Sequence, residues 1–138
     1  MRDILNLKTL KRSKLPKHKT IYKKAHRLIN EDYATPDLTN EEILEIAKDF
    51  PTLSVNIIVG GDISIKSIVD SWIIKDEGRF YTLYHSALVS DNGRYKERFH
   101  LQDVFKDLNY IFASVVSHDD FAMGIQRRNE YDVLEMIS

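Results

Sequence analysis

The spacing of apolar residues changes along this chain, and each change marks an element. Ile21, Tyr22, Ala25, Leu28 and Ile29 fall at i, i+1, i+4, i+7 and i+8, a single stripe that predicts a helix over 18–32. Lys19, Lys23, Lys24, His26 and Arg27 fill the other positions, so the helix should dock by its apolar side and turn its bases outward. Thr35-Pro36-Asp37 ends it. A second helix is predicted over 40–49. Thr39 is its N-cap, Glu42 completes a capping box, and Ile43, Leu44, Ile46 and Ala47 give an apolar face before Pro51 stops it.

Beyond Pro51 the pattern turns to strands. Thr52 to Val59 is rich in β-branched residues and runs into Gly60-Gly61-Asp62, a turn. Residues 63–76 carry two signatures: Ile65, Ile68, Val69, Trp72 and Ile73 match a helical period, while β-branched residues and Glu77-Gly78 favour a strand over at least 70–76. Residues 79–90 predict a central strand, with Phe80, Tyr84 and Leu88 on one face and Tyr81, Leu83, Ala87 and Val89 on the other. Ser90-Asp91-Asn92-Gly93 is a hairpin turn, and Arg94 to Phe99 returns as a strand with Arg94, Lys96 and Arg98 on one face. Leu101 to Leu108 has the spacing of a short helix, and Tyr110 to Ser117 reads as another apolar strand. Residues 129–137 form a last helix or a frayed tail.

The expected fold class is therefore α+β: a basic N-terminal arm over 1–17, then a domain over 18–138. In that domain two helices precede an antiparallel sheet of about five strands with one inserted helix. Helices on one sheet face would bury Leu44, Trp72, Tyr84 and Phe105.

Composition narrows the chemistry. The chain has 138 residues and no cysteine, which excludes disulfides, thiolate zinc sites, Fe–S clusters and cysteine nucleophiles. Its apolar runs are short, triplets such as Ile57-Ile58-Val59 and at most four residues, so neither a signal peptide nor a membrane span is expected, and a cytoplasmic protein with no membrane partner is the reading. No Gly-x-x-x-x-Gly-Lys-Ser/Thr, Gly-x-Gly-x-x-Gly or Gly-x-Ser-x-Gly occurs, so no nucleotide cofactor or serine hydrolase is expected.

Charge changes the picture more. Ten of the twenty Lys and Arg lie in the first thirty residues, against one acid, Asp3. The remaining 108 residues carry ten bases and twenty acids, so a net charge of −1 conceals a cationic end on an anionic body. The first functional expectation is a small nucleic-acid-binding accessory or regulatory protein. Its phosphate contacts would be Lys11, Arg12, Lys14, Lys17, Lys19, Lys23, Lys24 and Arg27, extended by Arg94, Lys96 and Arg98 if both groups share a side. Lysine outnumbers arginine in this segment, which suits point-charge attraction better than base reading.

Two alternatives stand beside it. An acidic surface carrying Glu41, Glu42, Glu45, Asp49, Asp76, Glu77, Asp103 and Asp107 would suit a protein-interaction module or inhibitor, and a homodimer stays open. A small nuclease resembling toxin ribonucleases in architecture would use His118, Asp119 and Asp120, or His85 with His100 and Tyr81, for acid–base chemistry. No catalytic residue is assigned from these candidates, and no metal ligand set is either; Asp62 and Asp70 are the acids on other elements that a site at His118 would draw on.

Overall fold

A computed structural model describes residues 11–30 and 34–123, with the backbone alone at 87–91. Helix α1 spans Pro16–Ile29. Pro16 opens this helix at its first turn, where the missing N–H costs nothing, rather than interrupting the chain before it. The expected stripe is the docking face: Ile21, Ala25 and Leu28 are buried, with Tyr22 and Ile29 packed at their flanks. Helix α2 spans Asn40–Ala47 and begins with the reciprocal capping box of Thr39 and Glu42.

Five antiparallel strands follow in sequence order across one sheet: β1 Ser54–Ile57, β2 Ile63–Lys66, β3 Ser71–Asp76, β4 Tyr81–Asp91 and β5 Arg94–Phe105. The ambiguous stretch 63–76 resolves into two strands folded back at Ser67–Asp70, where the Ser67 N–H donates to the Asp70 carbonyl at 2.9 Å. Asn92 and Gly93 form the two-residue β4–β5 turn with φ of 52° and 79°, the left-handed pair that a tight hairpin needs.

Two expectations fail. Residues 101–105 continue β5 instead of forming an inserted helix, because Leu101 and Val104 lie against α1 as strand residues paired with Tyr84 and Thr82. Residues 110–117 are not a strand but part of α3, Leu108–Met123, which follows the sheet. Leu108, Ile111, Phe112, Val115 and Asp119 form its buried stripe, a helical period that outweighs β-branched propensity. The helix expected over 129–137 lies outside the described residues.

Helices cover both sheet faces, not one. Ile43 of α2 and Leu108, Ile111, Phe112 and Val115 of α3 pack with Ile63, Ile65, Trp72, Ile74, Tyr81 and Leu83. On the opposite face α1 packs with Phe80 and Val104. Tyr84 is buried on the α1 side, since it alternates with Leu83, while Leu44 is 41% exposed. Among the described residues, no helix is long and apolar enough to cross a membrane.

Candidate functional site

The outer face of α1 is one candidate. Lys19, Lys23 and Arg27 are exposed and four residues apart, so they form one row along the helix at intervals of about 6 Å. No acid occurs between Pro16 and Ile29. Lys24 behaves differently. Its ammonium lies 3.2 Å from Asp103 Oδ1 and 4.1 Å from the centroid of Phe105, which ties α1 to β5. Lys17 reaches Gln102 Oε1 at 2.9 Å and remains exposed. Lys11, Arg12 and Lys14, just ahead of the helix, are exposed too.

Arg94, Lys96 and Arg98 belong to β5 and do not continue this row. They pair with Asp91, Val89 and Ala87, and His100 pairs with His85. Partners across an antiparallel ladder share a face. The three bases therefore follow His85, on the side of α2 and α3, while α1 covers the other side.

The second constellation lies on that side. Alternation along β4 sends His85 to the face of Tyr81 and Leu83, and Trp72 of β3 stands directly opposite it. The two rings stack with centroids 4.4 Å apart and planes at 30°. From α3, His118 presents its ring edge-on to Trp72 at 4.8 Å and lies 4.8 Å from the His85 ring. Asp70, at the end of the β2–β3 turn, places Oδ2 2.8 Å from His85 Nε2 and 3.9 Å from His118 Nδ1. Trp72 is 1% exposed, whereas the Asp70, His85 and His118 side chains are half-buried and open to water on one side.

One buried carboxylate holds this arrangement. Asp119, 1% exposed, accepts from Ser67 Oγ at 2.7 Å and from the Ile68 N–H at 2.9 Å. With its proton given to Asp119, the Ser67 hydroxyl accepts from Trp72 Nε1 at 3.0 Å and from the Asp70 N–H at 3.2 Å. Its hydrogen-bonding capacity is then filled. The turn that carries Asp70 and the indole that packs both imidazoles share this single anchor.

His85 and His118, drawn from two separate candidate groups in the sequence, thus meet, and Asp70 joins them. Asp119 bonds to the turn through Ser67 and Ile68. Asp120 is half-buried one position further around the helix. His118, Asp119 and Asp120 sit within α3, not at a strand end, so successive residues diverge by about 100°. His100 is exposed beside His85. Tyr81 is four residues from His85, about 13 Å along the strand, and does not approach it. Burial, then the charges of Asp76 and Asp107, push its hydroxyl up to about 12, with Thr35 opposing; a proton held this firmly does not serve as a base near neutrality. Ser67 escaped the sequence reading, as did the place of Trp72, expected in the core, beside the two imidazoles. The available signal was an aspartate at the next core position of the α3 stripe, which a buried donor had to satisfy. Comparison with protein-family models, with curated proteins and with solved structures finds no match for this chain.

Proposed function

We propose that this protein binds nucleic acid through the outward face of α1, as a small accessory or regulatory factor that contacts phosphates. The observation that supports this reading is the row Lys19–Lys23–Arg27 on an acid-free helix whose opposite side is fastened to the sheet by Ile21, Ala25, Leu28 and Lys24. Three outward cations spread over about 12 Å can each meet a phosphate of one strand. A docked helix fixes their spacing before binding, so little ordering entropy opposes the contact. Lys17, Lys14, Arg12 and Lys11 extend the same positive field toward the N-terminus.

The test is binding of labelled duplex DNA, single-stranded DNA and RNA over a range of salt concentrations. The unsubstituted protein is compared with a Lys19→Glu/Lys23→Glu/Arg27→Glu variant. The variant should bind every sequence more weakly, with a log K against log salt slope flatter by about 2.7 on duplex DNA, roughly 0.9 per lost phosphate contact. Unchanged affinity and slope would overturn the reading. Binding restricted to an acidic polypeptide would transfer the same surface to a protein partner.

A further inference from the structure

We propose that Asp70, His85 and His118 form a binding site for a divalent first-row transition metal of the zinc class, with one coordination position left to water. The donors come from the β2–β3 turn, from β4 and from α3, and their ligand atoms all lie within 4.8 Å of one another. Two imidazole nitrogens and one carboxylate oxygen form a donor set suited to zinc, and three protein ligands leave a fourth position open.

Two of the three donor distances need only a small adjustment, and the two imidazole nitrogens, within 4.8 Å of each other, close by up to about 1.5 Å. Tetrahedral bonds of about 2.0–2.1 Å place donor atoms roughly 3.3 Å apart. The 2.8 Å contact of Asp70 with His85 opens by about half an ångström, and the 3.9 Å contact with His118 closes by about as much.

A second observation points to a ligand independently. His118 Nδ1 is buried and has no hydrogen-bond partner. Its 3.9 Å separation from Asp70 is too long for a hydrogen bond. Buried polar atoms are ordinarily satisfied, and a metal ion beside Asp70 Oδ2 would satisfy this one. The surroundings are those of a prepared site. Trp72 packs both imidazoles, and the Asp119–Ser67 pair fixes the turn that presents Asp70. The site is on the sheet face opposite α1, so it stands or falls separately from nucleic-acid binding.

Zinc and cobalt(II) are titrated into the full chain. Uptake is followed by calorimetry, by visible absorption of the cobalt form, and by the ¹⁵N resonances of the five histidine rings. The expected result is one equivalent of metal, cobalt bands of four-coordinate intensity, and shifts confined to His85 and His118 while His18, His26 and His100 stay in place. His118→Ala and Asp70→Asn should each weaken zinc binding by about 100-fold or more, and His100→Ala should leave it unchanged. The ring resonances are read on the unsubstituted chain, so a variant that fails to fold does not decide the outcome. The proposal is overturned by absence of saturable one-equivalent uptake, or by uptake that moves the other histidines and leaves His85 and His118 unshifted.

Discussion

The carboxylate of Asp119 accepts a hydrogen bond from the Ser67 hydroxyl at 2.7 Å, joining α3 to the β2–β3 turn across 52 residues of chain. Both groups are also bonded elsewhere, Asp119 to the Ile68 N–H and Ser67 to the Trp72 indole. Removing Asp119 leaves the Ile68 N–H without its acceptor and Ser67 Oγ with the Asp70 carbonyl at 3.1 Å, and removing Ser67 strands the Trp72 and Asp70 N–H groups, at about 1–3 kcal/mol for each stranded donor. Asp119→Ala should therefore destabilise the protein by roughly 2–4 kcal/mol, and Ser67→Ala by a similar amount. The double variant should cost less than the sum, by ~1 kcal/mol or more, because the two act as one unit. Urea denaturation followed by the fluorescence of the sole tryptophan, Trp72, measures all three. Strict additivity would show that the link carries no energy of its own.

Trp72 is 1% exposed, and its ring supports both His85 and His118. Trp72→Ala should cost about 3–5 kcal/mol through lost burial and the cavity left behind. Trp72→Phe keeps most of the apolar volume but loses the bond to Ser67, and should cost about 1–3 kcal/mol. Thermal unfolding ranks the two; a Trp72→Phe midpoint equal to that of the unsubstituted protein would mean that the indole N–H contributes nothing.

Neighbouring lysines on α1 should separate anchoring from binding. Lys24 holds Asp103 and lies over Phe105, so Lys24→Ala should lower stability by about 1 kcal/mol. Lys23 is exposed, and Lys23→Ala should leave stability within about 0.5 kcal/mol of the parent. On duplex DNA the order reverses: Lys23→Ala should flatten the salt slope by about 0.9 and Lys24→Ala by less. Denaturation and binding isotherms on the same two proteins give the comparison. Equal behaviour in both assays would remove the division of roles.

Tyr81 predicts a pH dependence. Burial, reinforced by Asp76 and Asp107 and opposed by Thr35, pushes its hydroxyl up to about 12. In the unfolded chain the phenol titrates near ~10. Between these values the unfolded state has lost the proton that the folded state retains. The stabilisation is therefore complete below about pH 10 and declines as pH climbs toward 12. Tyr81→Phe lacks this contribution to alkaline unfolding. The difference in urea midpoint between parent and variant should stay constant up to about pH 10 and then shift in favour of the variant. A constant difference through pH 12 would count against the assignment.

Local signals in the sequence identified the elements whose chemistry is local. The Thr39–Glu42 capping box, the α1 stripe and the Asn92-Gly93 turn appear as read, because each depends on residues within a few positions of one another. Residues 110–117 were misread because β-branched propensity was set against a helical spacing that tertiary packing follows, and residues 101–105 because a helical spacing there gave way to pairing with β4. At the site, alternation placed His85 on the correct face of β4. The meeting of His85 with His118 and Asp70 depends on how α3 crosses the sheet and where the β2–β3 turn falls, and neither has a marker within any one segment. Only Asp119, a charge at a core position, hinted that this end of α3 meets a polar partner.

Strands β4 and β5 run 11 and 12 residues, yet β3 accompanies β4 only from Tyr81 to His85. From Ser86 outward the pair is, among the described residues, a two-stranded ribbon with unpaired backbone along both margins, the form that invites another chain to add a strand. Arg94, Lys96, Glu97 and Arg98 crowd that ribbon with charge. A polypeptide adding itself along β5 would have to pass those ionic groups, so the protein can carry a long exposed β margin without seeding its own aggregation.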